Sequence, residues 1–166
     1  MEMTLTNSEW HSKIEVQKAD YGEKLVQDFL EKQGYVCYKP VTDAAHLIDF
    51  LVFQDKKFKF GVEVKTKPKF KNYPATGFDY RHYLQYKKFT ADEERPLFIC
   101  FVDETIGAIY GNFLHVLDEP REYCGMDYPN QFAKNGVSIR YYPLSAMRLI
   151  RKLTSSETEK LKNFKC

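Results

Sequence analysis

The chain of 166 residues lacks long hydrophobic runs and closely spaced cysteines. No apolar stretch approaches the ~20 residues that a membrane-spanning helix needs, so we expect no membrane partner. Its first residues lack the basic-then-apolar layout of a secretory signal peptide. The 4 cysteines lie far apart, without the spacing of zinc ligands, at Cys37, Cys100, Cys124 and Cys166. These absences predict buried free thiols in a reducing compartment and a cytoplasmic location.

The chain also lacks a large excess of charge of one sign. It has 25 Lys and Arg against 23 Asp and Glu, a formal net charge of +2. A balance this even does not by itself indicate nucleic acid, so any basic surface must be local. No helix-turn-helix, zinc ribbon or internal repeat is present. Hydrophobic residues make up 43% and aromatics 16%, which indicates one globular domain over residues 1–166.

The most informative stretch runs from Asp49 to Lys65. Two runs of alternating and β-branched residues flank the polar segment 54–57, a pattern typical of a β-hairpin. Because side chains alternate along a strand, Glu63 and Lys65 share one face. If residues 55–57 form a three-residue turn, Asp49 lies opposite Glu63 on that face. Two carboxylates and one ammonium would then converge, which suits a divalent cation beside a phosphate.

The rest of the chain reads as alternating helices and strands. Apolar residues at helical spacing predict helices over 13–32 and 79–90. Apolar runs predict strands over 35–39, 96–102, 107–110 and 137–142, with loops over 66–78 and 115–136. Pro143 is predicted to start a helix with a core-facing stripe of Leu144, Met147, Ile150 and Leu153. A last short helix would be capped at Thr154 or Ser156.

These residues resemble a known family. Asp49, followed about a dozen residues later by Glu63-Val64-Lys65 at the end of a hydrophobic strand, is similar to the core motif of the PD-(D/E)XK nuclease superfamily. Ile48 replaces the motif's proline. The resemblance covers about residues 18–103. It implies an α/β, restriction endonuclease-like fold with an α-β-β-β-α-β core and a mixed central sheet flanked by helices. Residues 104–166 would be strand and helical additions, with a C-terminal helical addition.

The resemblance also implies a site. In this family Mg²⁺ or Mn²⁺ would be held by Glu23, Asp49, Glu63 and the Val64 carbonyl, while Lys65 would orient the attacking water or neutralise developing charge. Gly22-Glu23 is similar to a signature on the family's first core helix. A capping box, Asp20-x-x-Glu23, is the structural alternative, in which Glu23 only satisfies a backbone donor. A plain solvated Glu23 is the third option.

Two further segments carry candidates. Gln85-x-x-x-Phe89 partly matches the Gln-x-x-x-Tyr motif of the RecB-like branch, so Gln85 is either a positioning residue or an exposed helix residue. Alternating lysines in the loop after Lys65 either grip phosphates with help from an aromatic side chain or form an ordinary solvated loop; the candidates are Lys67, Lys69, Lys71 and Tyr73. His46 could lie near Asp49. Asp103 and Glu104 read as turn residues.

Together these features predict a metal-dependent nuclease that hydrolyses phosphodiester bonds in DNA. The superfamily that the chain resembles includes junction resolvases, restriction-type enzymes and nucleases of phages or mobile elements. The alternative is a catalytically inactive module of the same fold that binds nucleic acid or a protein partner. A structural domain with a chance Glu-x-Lys is a third option. An intact Asp/Glu/Lys set argues for catalysis, and the small net charge argues against it. A homodimer would suit junction cleavage.

Overall fold

The computed structural model describes residues 13–40, 47–92, 95–134 and 136–164. Its α-helices there are α1 (Ile14–Lys32), α2 (Tyr80–Asp92), α3 (Leu114–Leu117) and α4 (Ser155–Asn163). The first six strands are β1 (Val36–Tyr38), β2 (Phe50–Gln54), β3 (Lys57–Thr66), β4 (Ala75–Asp79), β5 (Leu97–Asp103) and β6 (Ala108–Phe113). The remaining strands are β7 (Arg121–Tyr123), β8 (Met126–Tyr128), β9 (Asn130–Lys134), β10 (Val137–Pro143) and β11 (Arg148–Lys152).

The centre of the fold is a mixed six-stranded sheet in the order β1-β2-β3-β5-β6-β11. Strands β3 and β5 run parallel, and the other neighbouring pairs run antiparallel. A parallel pair needs a long crossover, which here contains β4 and α2. The element order through β5 therefore holds one strand more than predicted. Strand β4 pairs with β10 in a second, three-stranded sheet, and β7 and β8 form a separate hairpin.

Helices cover both faces of the central sheet. On one face α1 packs Leu25, Val26 and Leu30 against the strands, together with Leu161 of α4. On the other face α2 contributes Tyr86 to a second apolar cluster. The two faces divide β3 by alternation, because Val62 and Val64 join the α1 cluster while Glu63 contacts α2. A sheet buried on both faces explains why β5 is hydrophobic from Leu97 to Val102.

Helix α1 approaches β3 closely at Gly22. A Cβ atom built on Gly22 would lie 1.8 Å from Oγ1 of Thr66, so only glycine fits this contact. The helix is continuous from residue 14 to residue 32, which places Asp20 and Glu23 well inside it. The predicted capping box at Asp20 is therefore wrong, since that motif requires a helix start. Glu23 is instead presented towards the end of β1.

The β2–β3 hairpin has a different turn from the predicted one but a closely similar register. Asp55 and Lys56 form a two-residue turn with positive φ at both positions, 53° and 60°. A register shift after Val52 then lets Phe58 and Phe60 face successive residues of β2, so one extra residue of β3 is accommodated. The bulge restores the pairing that a three-residue turn would have given, and Phe50 pairs with Val62.

Three predictions of secondary structure are wrong. Residues 75–79 form β4, and the segment 115–136 contains β7, β8 and β9 instead of loop alone. The helix predicted from Pro143 is a short 3₁₀ turn, Leu144–Ala146, followed by β11. Strand β11 pairs with the edge of β6, and these inter-strand hydrogen bonds outweigh the local helical pattern. The C-terminal helix α4 is present, with the predicted capping box between Thr154 and Glu157.

Two further expectations concern the cysteines, predicted to be buried free thiols, and the absence of a membrane-spanning helix. Cys100 is buried and Cys37 half-buried, both as free thiols, whereas Cys124 is exposed. Burial raises the pKa of Cys37 to about 11 and that of Cys100 to about 12, so both stay protonated at neutral pH. Within the described residues, no helix has the length and hydrophobicity needed to cross a membrane.

Candidate active site

Asp49 is fixed against β3 by two hydrogen bonds. Its backbone N–H donates to the Val62 carbonyl at 3.0 Å, and the Val64 N–H donates to its Oδ2 at 2.7 Å. The ladder between β2 and β3 ends at the neighbouring Phe50, so the side chain of Asp49 replaces the next backbone acceptor. The carboxylate is thereby held at the start of the segment 62–65, beside the Glu-x-Lys of β3.

Glu63 is buried, 7% exposed, and one of its oxygens has two donors. Oε1 accepts from Nζ of Lys65 at 2.6 Å and from the hydroxyl of Tyr86 at 2.7 Å. Lys65 also lies over the Tyr86 ring, 5.6 Å from its centroid. Burying a carboxylate without such partners is costly, so these two donors stabilise Glu63 in its buried position. Burial and the charge of Glu63 raise the pKa of Tyr86 above its ordinary value, so its hydroxyl acts as a donor.

The environment of Asp49 is crowded with negative charge. Burial, followed by the charges of Glu63 and Glu23, raises its pKa to about 8, and the Val64 N–H and Lys65 offset this only in part. These carboxylates share one region although they come from α1, β2 and β3. A cation placed among them would relieve their repulsion and favour the ionised form.

Lys39, immediately after β1, places a positive charge beside Glu23. Its Nζ lies 2.5 Å from Oε2 of Glu23, whose side chain is mostly buried. Burial lowers the pKa of the Lys39 ammonium, but the hydrogen bond to Glu23 and the charges of Glu23, Asp20 and Asp49 outweigh that effect and raise it. Sequence reasoning missed Lys39, and the signal that could have found it is the pair Asp20 and Glu23, about one turn apart on the facing helix.

The donor set suits a hard divalent cation in its chemistry, because Asp49 and Glu63 offer carboxylate oxygens in a partly desolvated place. The arrangement of side chains is less complete. Among the described residues, no group of three or more His, Cys, Asp or Glu side chains lies close enough to hold a metal ion. Glu23 faces Lys39, and the contact of Val64 with this region is its N–H to Asp49.

Helix α2 brings Tyr86 to the site and leaves Gln85 outside it. Tyr86 is 2% exposed, whereas Gln85 lies on the exposed face of the same helix. His82, one turn earlier, has its ring centroid 6.2 Å from that of Tyr86. Burial and the nearby Lys65 ammonium lower the pKa of His82. Tyr86 and His82 were both missed as site residues; the spacing Tyr83, Tyr86, Phe89 is the signal that marks this buried face.

The lysines after β3 have unequal surroundings. Lys67 donates its ammonium to the Gly77 carbonyl, and Lys69 donates to the Phe70 carbonyl at 3.0 Å. Lys71 and Tyr73 are exposed. Lys69 is also fixed through its backbone N–H, which donates to Asp103 at 2.7 Å. Lys71 and Tyr73 are therefore the members of the predicted group most open to a ligand.

The two acidic residues after β5 have structural partners. Asp103 is fully buried and accepts from the backbone N–H groups of Thr105 and Ile106, which fixes the β5–β6 turn. Glu104 lies 2.6 Å from the Lys18 ammonium of α1. Their predicted role as turn residues fits these contacts. His46 lies outside the described residues.

The structure is similar to that of Hjc from Archaeoglobus fulgidus, a Holliday junction resolvase from an archaeal hyperthermophile. The TM-score is 0.51 at 11% sequence identity, over 76% of this chain and 89% of that one. At this identity the likeness shows the fold alone, and it supports the predicted restriction endonuclease-like α/β class. No family model matches the sequence, and no curated protein matches it by sequence.

Proposed function

We propose that this protein is a metal-dependent nuclease that hydrolyses phosphodiester bonds in DNA in the cytoplasm. The observation that carries the proposal is the meeting of Asp49, Glu63 and Lys65 on one patch of β2 and β3. A chance Glu-x-Lys would have no reason to lie beside a partly buried aspartate from another strand. The fold it shares with a solved Holliday junction resolvase supports a DNA substrate.

Asp49 and Glu63 would hold Mg²⁺ or Mn²⁺, with the Val64 carbonyl and Glu23 as the further oxygen ligands. Such a cation, when bound, lowers the pKa of a coordinated water and polarises the scissile phosphate. Tyr86 keeps the Glu63 carboxylate in one orientation through its hydroxyl. For Glu23 to join the site, its carboxylate would exchange Lys39 for the cation.

Lys65 has the place and charge to neutralise the phosphate in the transition state. Its ammonium sits 2.6 Å from Glu63 Oε1 and is mostly buried, so it is already oriented before substrate binds. Fixed donors aimed at developing charge are the main source of catalytic stabilisation in such sites. Lys71 and Tyr73 would contact the DNA backbone and bases, with Lys67 and Lys69 behind them. Gln85, on the exposed face of α2, would contact DNA outside the carboxylate patch.

The test is a cleavage panel with supercoiled plasmid, a single strand and a four-way junction, each in Mg²⁺, Mn²⁺ or EDTA. Cutting should require metal and should be lost in Lys65→Ala. Lys59→Ala is the matched control, because Lys59 is an exposed lysine on the same strand, remote from Asp49, and should cut at the wild-type rate. Sedimentation of the protein with and without junction would show whether a homodimer acts.

The second candidate is an inactive module of the same fold that binds nucleic acid. The observation in its favour is that Glu23 faces Lys39 and that, among the described residues, no three carboxylates lie close enough to hold a metal ion. Metal-independent DNA binding without cutting of any substrate would establish this alternative. Cutting that persists in Lys65→Ala would contradict the proposed site, since the activity would then come from other residues or from a contaminant.

A further inference from the structure

A second feature is an aromatic cavity whose lining includes neither Asp49, Glu63 nor Lys65. It has a volume of about 340 Å³, at the lower end of the range for small-ligand sites. Its walls come from the loop after β3 and from strands β8, β9 and β10, and include Phe70, Tyr73, Tyr128, Asn130, Phe132 and Tyr141. The nuclease site uses neither β8 nor β9, so the catalytic proposal does not explain this cavity.

The aromatic rings of the cavity differ in exposure between its base and its rim. Tyr128 and Tyr141 are buried, 4% and 6% exposed, whereas Tyr73 and Phe132 are 51% and 52% exposed at the rim. Phe70 and Phe132 flank Tyr141, with centroid distances of 4.7 Å and 6.0 Å. Large aromatic side chains left half in solvent around a preformed hollow are typical of a surface that binds a flat apolar group.

One polar atom in the lining has no partner. Oδ1 of Asn130 is buried and accepts no hydrogen bond from any described residue, while the Nδ2 of the same amide donates to the Asp127 carbonyl at 3.0 Å. The second contact fixes the amide so that its oxygen stays an acceptor. A buried acceptor left unpaired is costly, and a ligand that donates an N–H would satisfy it. The occupant should therefore be aromatic and carry a donor on its edge.

The charge of the neighbouring loop and its distance from Lys65 indicate which class of ligand fits the cavity. The loop that supplies Phe70 and Tyr73 also carries Lys69 and the exposed Lys71, which suits a ligand with phosphate groups beside its ring. Phe70 follows Lys65 by five residues, so their Cα atoms are at most about 18 Å apart. A distance of about 18 Å corresponds to about five base steps of B-form DNA at ~3.4 Å each, so one DNA molecule can reach both Lys65 and the cavity.

We propose that this cavity binds one unstacked nucleobase of the DNA substrate, between Tyr73 and Phe132 and with its N–H edge on Asn130 Oδ1. The inference rests on the proposed function and adds to it a site that selects DNA with a base free to leave its stack. Mispaired, unpaired or branch-point bases leave most easily, because less pairing and stacking is lost. The protein would then favour junctions or damaged duplexes over continuous duplex.

The test measures binding in EDTA to a four-way junction and to its matched linear duplex, each carrying one 5-iodouracil for photo-crosslinking. Wild type should bind the junction more tightly, and the crosslink should map to residues 70–73 or to Phe132. Phe132→Ala should weaken junction binding about tenfold or more, because stacking on an aromatic ring supplies that much for one base. Phe132→Tyr should keep the affinity, since a ring remains.

Leu149→Ala is the control, because Leu149 is 60% exposed on β11 and lies outside the cavity. If DNA is cut and bound by Phe132→Ala as by wild type, with crosslinks elsewhere, the cavity inference fails while the nuclease proposal stands. If Phe132→Ala instead changes only the sedimentation of the free protein, the cavity is a contact between copies of this chain. If wild type binds no DNA, the proposed function fails and the cavity inference fails with it.

Discussion

Replacing Asp49 by Asn should make the metal-free protein more stable. The same substitution should abolish the stabilisation of the protein by added Mg²⁺. Asn keeps the shape of the side chain and an oxygen to accept the Val64 N–H, which is 2.7 Å away. It removes the negative charge that burial, Glu63 and Glu23 oppose. Stability that rises when a charged residue is neutralised is a mark of a site kept for function.

The pH dependence gives the size of the effect. The pKa of Asp49 is raised from 3.8 to about 8, so between those values the folded protein holds a proton that the unfolded chain has released. Each rise of one pH unit in that interval lowers the free energy of unfolding of the wild type by up to about 1.4 kcal/mol. Relaxation of the site reduces this sum, and we expect Asp49→Asn to gain about 2 kcal/mol at pH 8. Near pH 3.8 and below, both states of the wild type are protonated and the gain should vanish.

The assay is thermal unfolding in EDTA across this pH range. A gain of about 2 kcal/mol corresponds to a Tm increase of about 4–8 °C for a chain of this size. Asp28→Asn is the control, because Asp28 forms an exposed pair with Lys24 and its loss should change stability by less than about 0.5 kcal/mol. Added Mg²⁺ should raise the Tm of wild type and leave that of Asp49→Asn unchanged. A variant that melts lower than wild type at pH 8 in EDTA would refute the reasoning.

Three further substitutions test individual contacts by urea unfolding. Tyr86→Phe removes the buried donor to Glu63 and should cost about 2 kcal/mol, with a higher Mg²⁺ requirement in any cleavage assay. Gly22→Ala forces a methyl group into Thr66 and should cost about 1–3 kcal/mol, or more if α1 shifts. Thr154→Ala breaks the capping box of α4 and should cost about 1 kcal/mol.

Each of these substitutions has a matched control nearby. Tyr80→Phe removes a hydroxyl from the same helix as Tyr86, at a half-buried position, and should be close to neutral. Lys24→Ala tests helix propensity on the exposed face of α1. Ser156→Ala removes the second predicted cap, which lies inside α4 and should matter little. Equal effects in a variant and its control would contradict the contact assigned to that residue.

The β2–β3 hairpin was predictable because a strand alternation fixes which residues share a face. Glu63 and Lys65 were placed together by this rule. The turn was not predictable, because the two-residue turn at Asp55 and Lys56 depends on a compensating bulge farther along the strand. Different local geometries can thus give one register, and the register is what brings Asp49 to Glu63.

The misassigned elements share a physical cause. Met147 and Ile150 follow Leu144 at helical spacing, but pairing with β6 holds Arg148–Lys152 in β11, where Leu149 is 60% exposed. Strand β4 likewise depends on β10, whose paired residues lie at least 60 positions away in sequence. Pairing between distant segments overrides local propensity, so neither residues 75–79 nor residues 148–152 showed a strand signal on their own.

Tyr86 shows the same limit at the site. The sequence pointed to Gln85 through a partial motif, yet the next residue faces the sheet, because one step along a helix turns the side chain by about 100°. Its contact with Glu63 depends on how α2 lies on the sheet, with Phe78 against its ring. Packing of this kind is set by the whole apolar cluster and cannot be read from a motif.

The most direct test of the central claim is single-turnover cleavage of a labelled four-way junction in Mg²⁺ by wild type and by Asp49→Asn. Both proteins must first be shown to be folded at the assay pH. The account predicts metal-dependent cutting by wild type and a loss of about a hundredfold or more in the variant, since the loss of one electrostatic group at such a site costs about that much. Equal cutting by the two proteins, or cutting in EDTA, would contradict it.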